Sequence, residues 1–229
     1  MSSKAKRKSR SKRGLLFNWP GTRPIRVMGM QWTAALISGM QGTPCLAVSR
    51  WWTTKGVFAT KLRETEEELL RLTVRKWGPL LVHVFDRGYA SANWLRVLAT
   101  YRVRFVIRWI GKHVFLTLAG DEKKLWQIGQ GKKYLAHKEI QDGATGEKMA
   151  CDLWWTAVRH PSSSQKLYLV KARVKKGVMY LITNDPVQTE AQAWWSWCMP
   201  FCSRCLILCI GNSWKRFSAS NAIALESGA

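Results

Sequence analysis

Residues 82–109 read VHVFDRGYASANWLRVLATYRVRFVIRW, and the fold turns on how that stretch is read. With Leu80 and Leu81 before it, VHVF is an apolar run of strand length, and Gly78-Pro79 closes whatever precedes it. The run ends on a lone acid, Asp86, flanked by Arg87 and Gly88. After that turn, SANWLRVLATYR puts Trp94, Leu95, Leu98 and Tyr101 on one helical face, and VRFVIRW returns as a strand. The spacing predicts a β-α-β unit. A carboxylate at the C-terminal end of a central strand sits where α/β sheets bind ligands. Asp-Arg-Gly is also ordinary turn chemistry, with Asp accepting backbone N–H groups and Gly allowing positive φ.

Upstream, TEEELLRLTVRKW (65–77) spaces Leu69, Leu70, Leu72, Val74 and Trp77 for a helix. Thr65 is the expected cap, and Glu66, Glu67 and Glu68 are expected as solvated first-turn acids favoured by the macrodipole. Glu64 belongs to the same group. Residues 25–38 and 43–53, separated by GMQG, read as a hairpin. Downstream, HVFLTL, KLWQIG, DLWWTAV, KLYLVKA and VMYLIT alternate with Gly, Asp, Lys and Ser turns, which predicts a mostly antiparallel β region. Asn184-Asp185-Pro186 closes it, and TEAQAWW opens a helix capped by Thr189.

The 229 residues carry 37 Lys and Arg against 14 Asp and Glu, a net charge of +23. Such a balance suits a polyanionic partner, because each cation set on a phosphate releases a condensed counterion. Nucleic acid is the expected partner and a membrane is not. No run approaches the ~18 apolar residues of a spanning helix, and residues 206–210 are too few. Trp19-Pro20-Gly21 interrupts the sequence before a signal-peptide apolar region forms. Only Cys45 and Cys151 lie in the first 197 residues, so a cytoplasmic setting is expected. The arm MSSKAKRKSRSKR (1–13) is expected to be loop-like and to lay Lys4, Lys6, Arg7, Lys8, Arg10, Lys12 and Arg13 on phosphate, or merely to solubilise the chain.

Taken together, residues 82–109 resemble the second-aspartate block of DDE-type insertion-sequence transposases, with its DRGF/Y turn, Trp-Leu helix and FVIRW strand. GMQWTAALIS (29–38) and PCLAVSRWWTT (44–54) are similar to the two strands before that family's first helix. YLITNDPVQTEAQAWW (180–195) is similar to its LLTNEPV segment entering the last catalytic helix. The resemblance covers about residues 14–195. It implies an α/β fold with a mixed sheet, an RNase H-like core over 14–111, a β-rich insertion over 112–183 and the start of the last catalytic helix over 184–195. The implied chemistry is phosphoryl transfer on DNA, in which three carboxylates hold two Mg2+ ions for in-line displacement at phosphorus. Asp86 would be the second carboxylate, catalytic and metal-binding. Arg87, Arg104 and Arg108 would reach DNA, with transposon ends as partner and a homodimer in the intact ancestor.

Two parts of that pattern are missing. No Asp precedes Asp86, so a start inside the loop after the family's first strand is expected. The Tyr-x2-Arg-x3-Glu-x6-Lys pattern is absent after Trp195; the only later acid is Glu226, and Cys198, Cys202, Cys205 and Cys209 crowd into twelve residues. A frameshift or truncation near residue 195 is expected, with 196–229 an out-of-frame tail. The C-x3-C-x2-C spacing suits an iron–sulfur cluster, and a fourth cysteine suits zinc, but 24 residues after Cys205 supply no scaffold for either. His83, His113, His137 and His160 read as isolated packing or surface histidines, and the pairs Trp51-Trp52 and Trp154-Trp155 as packing. The expectation is a catalytically incomplete, DNA-binding transposase fragment. The alternative is a basic nucleic-acid-binding protein in which Asp86 only makes a turn. A central VHVF strand favours the first, and an edge strand with Asp86 capping a helix favours the second.

Overall fold

The computed structural model describes residues 15–17, 25–27, 31–37, 45–53, 56–57, 59–141, 148–163, 165–175, 177–198 and 205–210. The fold is mixed α/β. Strands β1 (Leu15–Phe17) and β2 (Ile25–Val27) form a separate antiparallel pair. The expected hairpin begins later than its sequence suggested: β3 (Gln31–Ile37) pairs with β4 (Cys45–Trp52), and β2 turns away to β1.

Helix α1 (Leu62–Trp77) starts a turn before the expected Thr65 cap, because Glu64 accepts from the Lys61 amide (3.3 Å) and the Thr60 hydroxyl (3.2 Å). Thr65 and Glu66 therefore lie inside the helix and are buried together with Leu69, Leu70 and Thr73. Gly78 ends it at φ 54, a conformation that suits glycine alone. Strand β5 (Val82–Phe85) follows, buried at all four positions. Helix α2 (Ala92–Thr100) is capped by Ser91, whose Oγ accepts from Trp94 N at 3.3 Å, and it buries Trp94, Leu95 and Leu98. Strand β6 (Arg104–Trp109) then runs parallel to β5. The β-α-β expectation holds.

The next region supplies β7 (Val114–Leu116), β8 (Glu122–Lys124), β9 (Ala136–Gln141), β10 (Lys148–Arg159), β11 (Lys166–Val174) and β12 (Gly177–Thr183), with every pairing among them antiparallel. KLWQIG departs from its strand reading. Its centre is a helical turn, α3 (Leu125–Ile128), because only Leu125 needs burial and the Gln127 carboxamide caps Lys124 N at 3.0 Å. β12 pairs with β6, so this region continues the same sheet. Helix α4 (Glu190–Cys198) is capped by Thr189 as expected, through Gln192 N at 3.3 Å. A last strand, β13 (Cys205–Ile210), enters between β3 and β5. The result is an 11-stranded mixed sheet in the order β4-β3-β13-β5-β6-β12-β11-β10-β7-β8, with β9 on β10.

Both faces of the sheet are covered, as buried parallel strands require. On one face Phe85, Phe105, Ile107, Trp109, Leu167, Leu169 and Ile182 pack with Leu69, Leu70, Trp94, Leu95 and Leu98 of α1 and α2. On the other, Val82, Val84, Val106, Val170 and Leu181 form a cluster with Ala193, Trp197 and Cys198 of α4. Among the described residues, no helix is long and apolar enough to cross a membrane.

Candidate functional site

β5 delivers Asp86 to the C-terminal end of the parallel pair, with an extended backbone at φ −80, ψ −176. There Asp86 caps a 3-10 turn (Arg87–Tyr89): its Oδ1 accepts from Gly88 N at 2.7 Å, and its carbonyl accepts from Tyr89 N at 3.2 Å. Gly88 is not one of the positive-φ glycines. Space explains it instead, since a Cβ there would stand 3.0 Å from Asp86 Oδ1. The turn is thus built around the carboxylate rather than around a left-handed glycine.

Two guanidinium groups stand near that acid. The register ends at Phe85 opposite Ile107, so one more step sets Arg108 level with Asp86. Burial and the charge of Arg87 lower the Arg108 pKa, and Asp86 opposes them. Arg104 lies at the other end of β6, level with Val82, and is committed elsewhere. Its Nε and Nη2 donate to Asp185 at 3.0 and 2.8 Å, a bidentate pair that raises its pKa. Asn184 completes that lock, accepting from Phe105 N (3.0 Å) and donating to the Val103 carbonyl (2.8 Å). Of the expected DNA contacts, Arg87 and Arg108 gather at Asp86 and Arg104 does not. Lys4, Lys6, Arg7, Lys8, Arg10, Lys12 and Arg13 lie outside the described residues.

The acid that sequence reasoning misjudged is Glu66. It is fully buried rather than solvated, accepting from Tyr89 Oη at 3.0 Å and from Arg63 Nη1 at 2.8 Å. The same guanidinium donates through Nη2 to the Gly88 carbonyl at 2.7 Å and lies 4.9 Å from the Tyr89 ring centroid. Arg63 and Glu66 therefore clamp the Asp86 turn to α1. Burial raises the Glu66 pKa, countered by Arg63 and Tyr89, and the charge of Asp86 raises it further. A signal was present: Glu66, Leu69, Leu70 and Thr73 share one helical face, and that face is buried.

The histidines are also better connected than their spacing suggested. His83 is fully buried with Nε2 3.2 Å from Thr73 Oγ1, and burial pushes its pKa down to about 4. His137 Nδ1 lies 2.6 Å from Asp152, an acid fifteen residues away that the β9–β10 pairing brings opposite it. Asp152 also accepts from Arg173, and these two contacts hold its carboxyl below the usual range. His113 accepts from Trp109 Nε1 at 2.8 Å, and His160 accepts from Ser162 N at 3.1 Å. The tryptophans behave as packing groups in part. Trp52 is buried and donates to Thr33 Oγ1 at 3.0 Å, and Trp154 is buried, whereas Trp51 is exposed.

Among the described residues, no three His, Cys, Asp or Glu side chains are grouped to hold a metal ion. The donor chemistry at Asp86 does not fit a two-Mg2+ site. Asp86 spends one oxygen on Gly88 N beside two arginines, and both oxygens of the buried Glu66 are engaged, by Arg63 and Tyr89. Continuing the parallel register of β13 by two residues sets Cys209, not an acid, level with Asp86. No family model matches the chain, and no curated protein matches it.

Proposed function

We propose that the chain is a DNA-binding remnant of a DDE-type insertion-sequence transposase, with an incomplete RNase H-like core and no strand-transfer chemistry of its own. The observation that carries the reading is the position of Asp86: it ends an interior strand of a mixed sheet, with Arg87 and Arg108 beside it. The order of hairpin, helix, central strand, helix, strand, antiparallel region and final helix supports it too, because that is the order the sequence resemblance implies. Phosphate is the ligand such a site suits, since two guanidinium groups outweigh one carboxylate. Mg2+ is the family's cofactor, and among the described residues the donors at Asp86 are too few to hold the pair that in-line displacement needs. Transposon ends are the DNA the ancestor would have recognised.

The rival reading, a basic nucleic-acid-binding protein without catalytic ancestry, draws support from the bond between Asp86 and Gly88 N, which a turn acid would make anyway. The coding DNA separates the two. Translated in its other two frames past codon 195, it should yield the Tyr-Arg-Glu-Lys helix if the transposase reading is right; its absence favours the rival.

DNA binding is measurable by fluorescence anisotropy across a salt series. Affinity should fall steeply with salt, and Arg87→Ala and Arg108→Ala should each reduce the log–log salt slope by about 1. Arg104→Ala should leave the slope unchanged, because Asp185 already holds that guanidinium. Slopes unaffected by Arg87→Ala and Arg108→Ala would remove the Asp86 end of the sheet from the DNA surface.

A further inference from the structure

β13, the last described strand, is an interior strand of its sheet. β13 runs antiparallel to β3, with Ile207 opposite Leu36 and Cys209 opposite Ala34. It runs parallel to β5, with Cys205 opposite Val82 and Ile207 opposite Val84. Among the described residues β3 and β5 do not pair with each other, so β13 is the hydrogen-bonded link between the β3–β4 hairpin and the rest of the sheet. We propose that residues 205–210 act as a donor strand in cis, filling a slot between β3 and β5 that the preceding chain leaves open.

Both walls of the slot need an occupant. Thr33, Ala34 and Ala35 of β3 are fully buried, and β5 is buried along its length. Backbone groups facing an empty slot there would lack partners away from water, a costly state for N–H and C=O groups alike. A strand upstream of the hairpin would ordinarily serve, because sequential strands tend to pair. Among the described residues, the strands upstream of the hairpin, β1 and β2, pair with each other and not with β3 or β5. The segment that takes the place fits it: CLILCI has six apolar residues and no charge, Pro or Gly, the composition of a strand buried on both faces.

The reach is sufficient within one molecule. β12, β6, β5 and β13 are successive neighbours, so three strand spacings cover about 14 Å. The seven residue steps from Cys198, at the end of α4, to Cys205 can span up to about 23 Å. The cost is kinetic. The slot is filled by a segment that follows every other described strand, so two apolar strand edges stay open until that segment has been made. The tail that reads as out of frame is then a structural part, whatever its origin.

Hydrogen exchange on the full-length protein tests this. Amides of residues 31–37 and 82–85 should be protected, and Leu208→Pro, which removes a ladder donor, should lower that protection about tenfold or more while β10 and β11 keep theirs. A synthetic peptide of residues 203–212 added to that variant should restore it. Unchanged protection in Leu208→Pro would overturn the proposal. If the variant unfolds throughout, oxidation of otherwise unaltered Ala34→Cys protein decides. A disulfide between the introduced thiol and Cys209 within one chain supports the donor strand in cis. Linkage to Cys205 instead, no linkage to Cys209, or linkage between chains in a mixture of isotope-labelled and unlabelled protein overturns it.

Discussion

Arg63→Met is expected to destabilise the protein by about 2–3 kcal/mol at neutral pH and by clearly less near pH 4. The substitution keeps the apolar stem but removes the cation that sits 2.8 Å from the buried Glu66 carboxylate. Loss of one partner of a fully buried pair typically costs about 3–5 kcal/mol, and the smaller figure reflects an Arg63 side chain that is 49% exposed. The pH dependence follows from the sign of the Glu66 shift. Its folded pKa lies above the ordinary carboxylate value of 4.5, so its contribution to stability is full below that value and declines as pH rises through the folded pKa. Without Arg63 the folded pKa climbs further, and the deficit grows between pH 4 and neutrality. Glu66→Gln in the Arg63→Met background should recover part of the loss, because no charge then remains to be buried. Urea unfolding at the two pH values measures all of this. Equal losses at both would mean that Glu66 and Arg63 are not coupled.

His83 should impose the opposite slope. Its folded pKa of about 4 lies below the ordinary imidazole value of 6.5 because the ring is buried. The stability it permits is present above pH 6.5 and is lost as pH falls toward 4, since the unfolded chain takes the proton first. The limit is about 1.4 kcal/mol per pH unit, or about 3 kcal/mol over the window. Glu66 titrates with contrary sign from 4.5 upward, so the informative quantity is the difference between wild type and His83→Gln. Wild type should lose more stability on acidification from pH 7 to pH 4.5, and Gln can still meet the Thr73 hydroxyl. Parallel pH profiles for the two proteins would place His83 in contact with water.

Local order was legible where one sequence signal dominated. Residues 82–109 combine a buried strand, a cap at Ser91 and a helical stripe at Trp94, Leu95 and Leu98, and all three signals agree. KLWQIG misled because four residues of a short apolar run fit a strand or a helical turn equally well. Glu66 was hidden by a general preference, acids in the first turn, which its position on the buried face overrides. The partners of His137 and Arg104 come from strand pairing and from a loop eighty-one residues away, and no local pattern encodes either. The position of β13 was the least accessible, because chain order says nothing about which strand fills the middle of a sheet. The place of Asp86 at the end of a strand was read from sequence, whereas Arg108 was named only with Arg104 as flanking β6, and its level with Asp86 comes from the strand register. The structure adds that Gly88 follows Asp86 for reasons of space and that Arg63 and Glu66 hold the turn in place.

We propose, centrally, that the chain binds DNA and keeps one ancestral carboxylate without the chemistry it served. Incubating full-length protein with duplex DNA and Mg2+, then resolving bound and cleaved DNA on native and denaturing gels, tests it most directly. The expected result is a shifted complex with intact strands, identical with and without Mg2+ and unchanged in cleavage by Asp86→Ala. Robust Mg2+-dependent strand cleavage by the wild-type chain, abolished by Asp86→Ala, would contradict it.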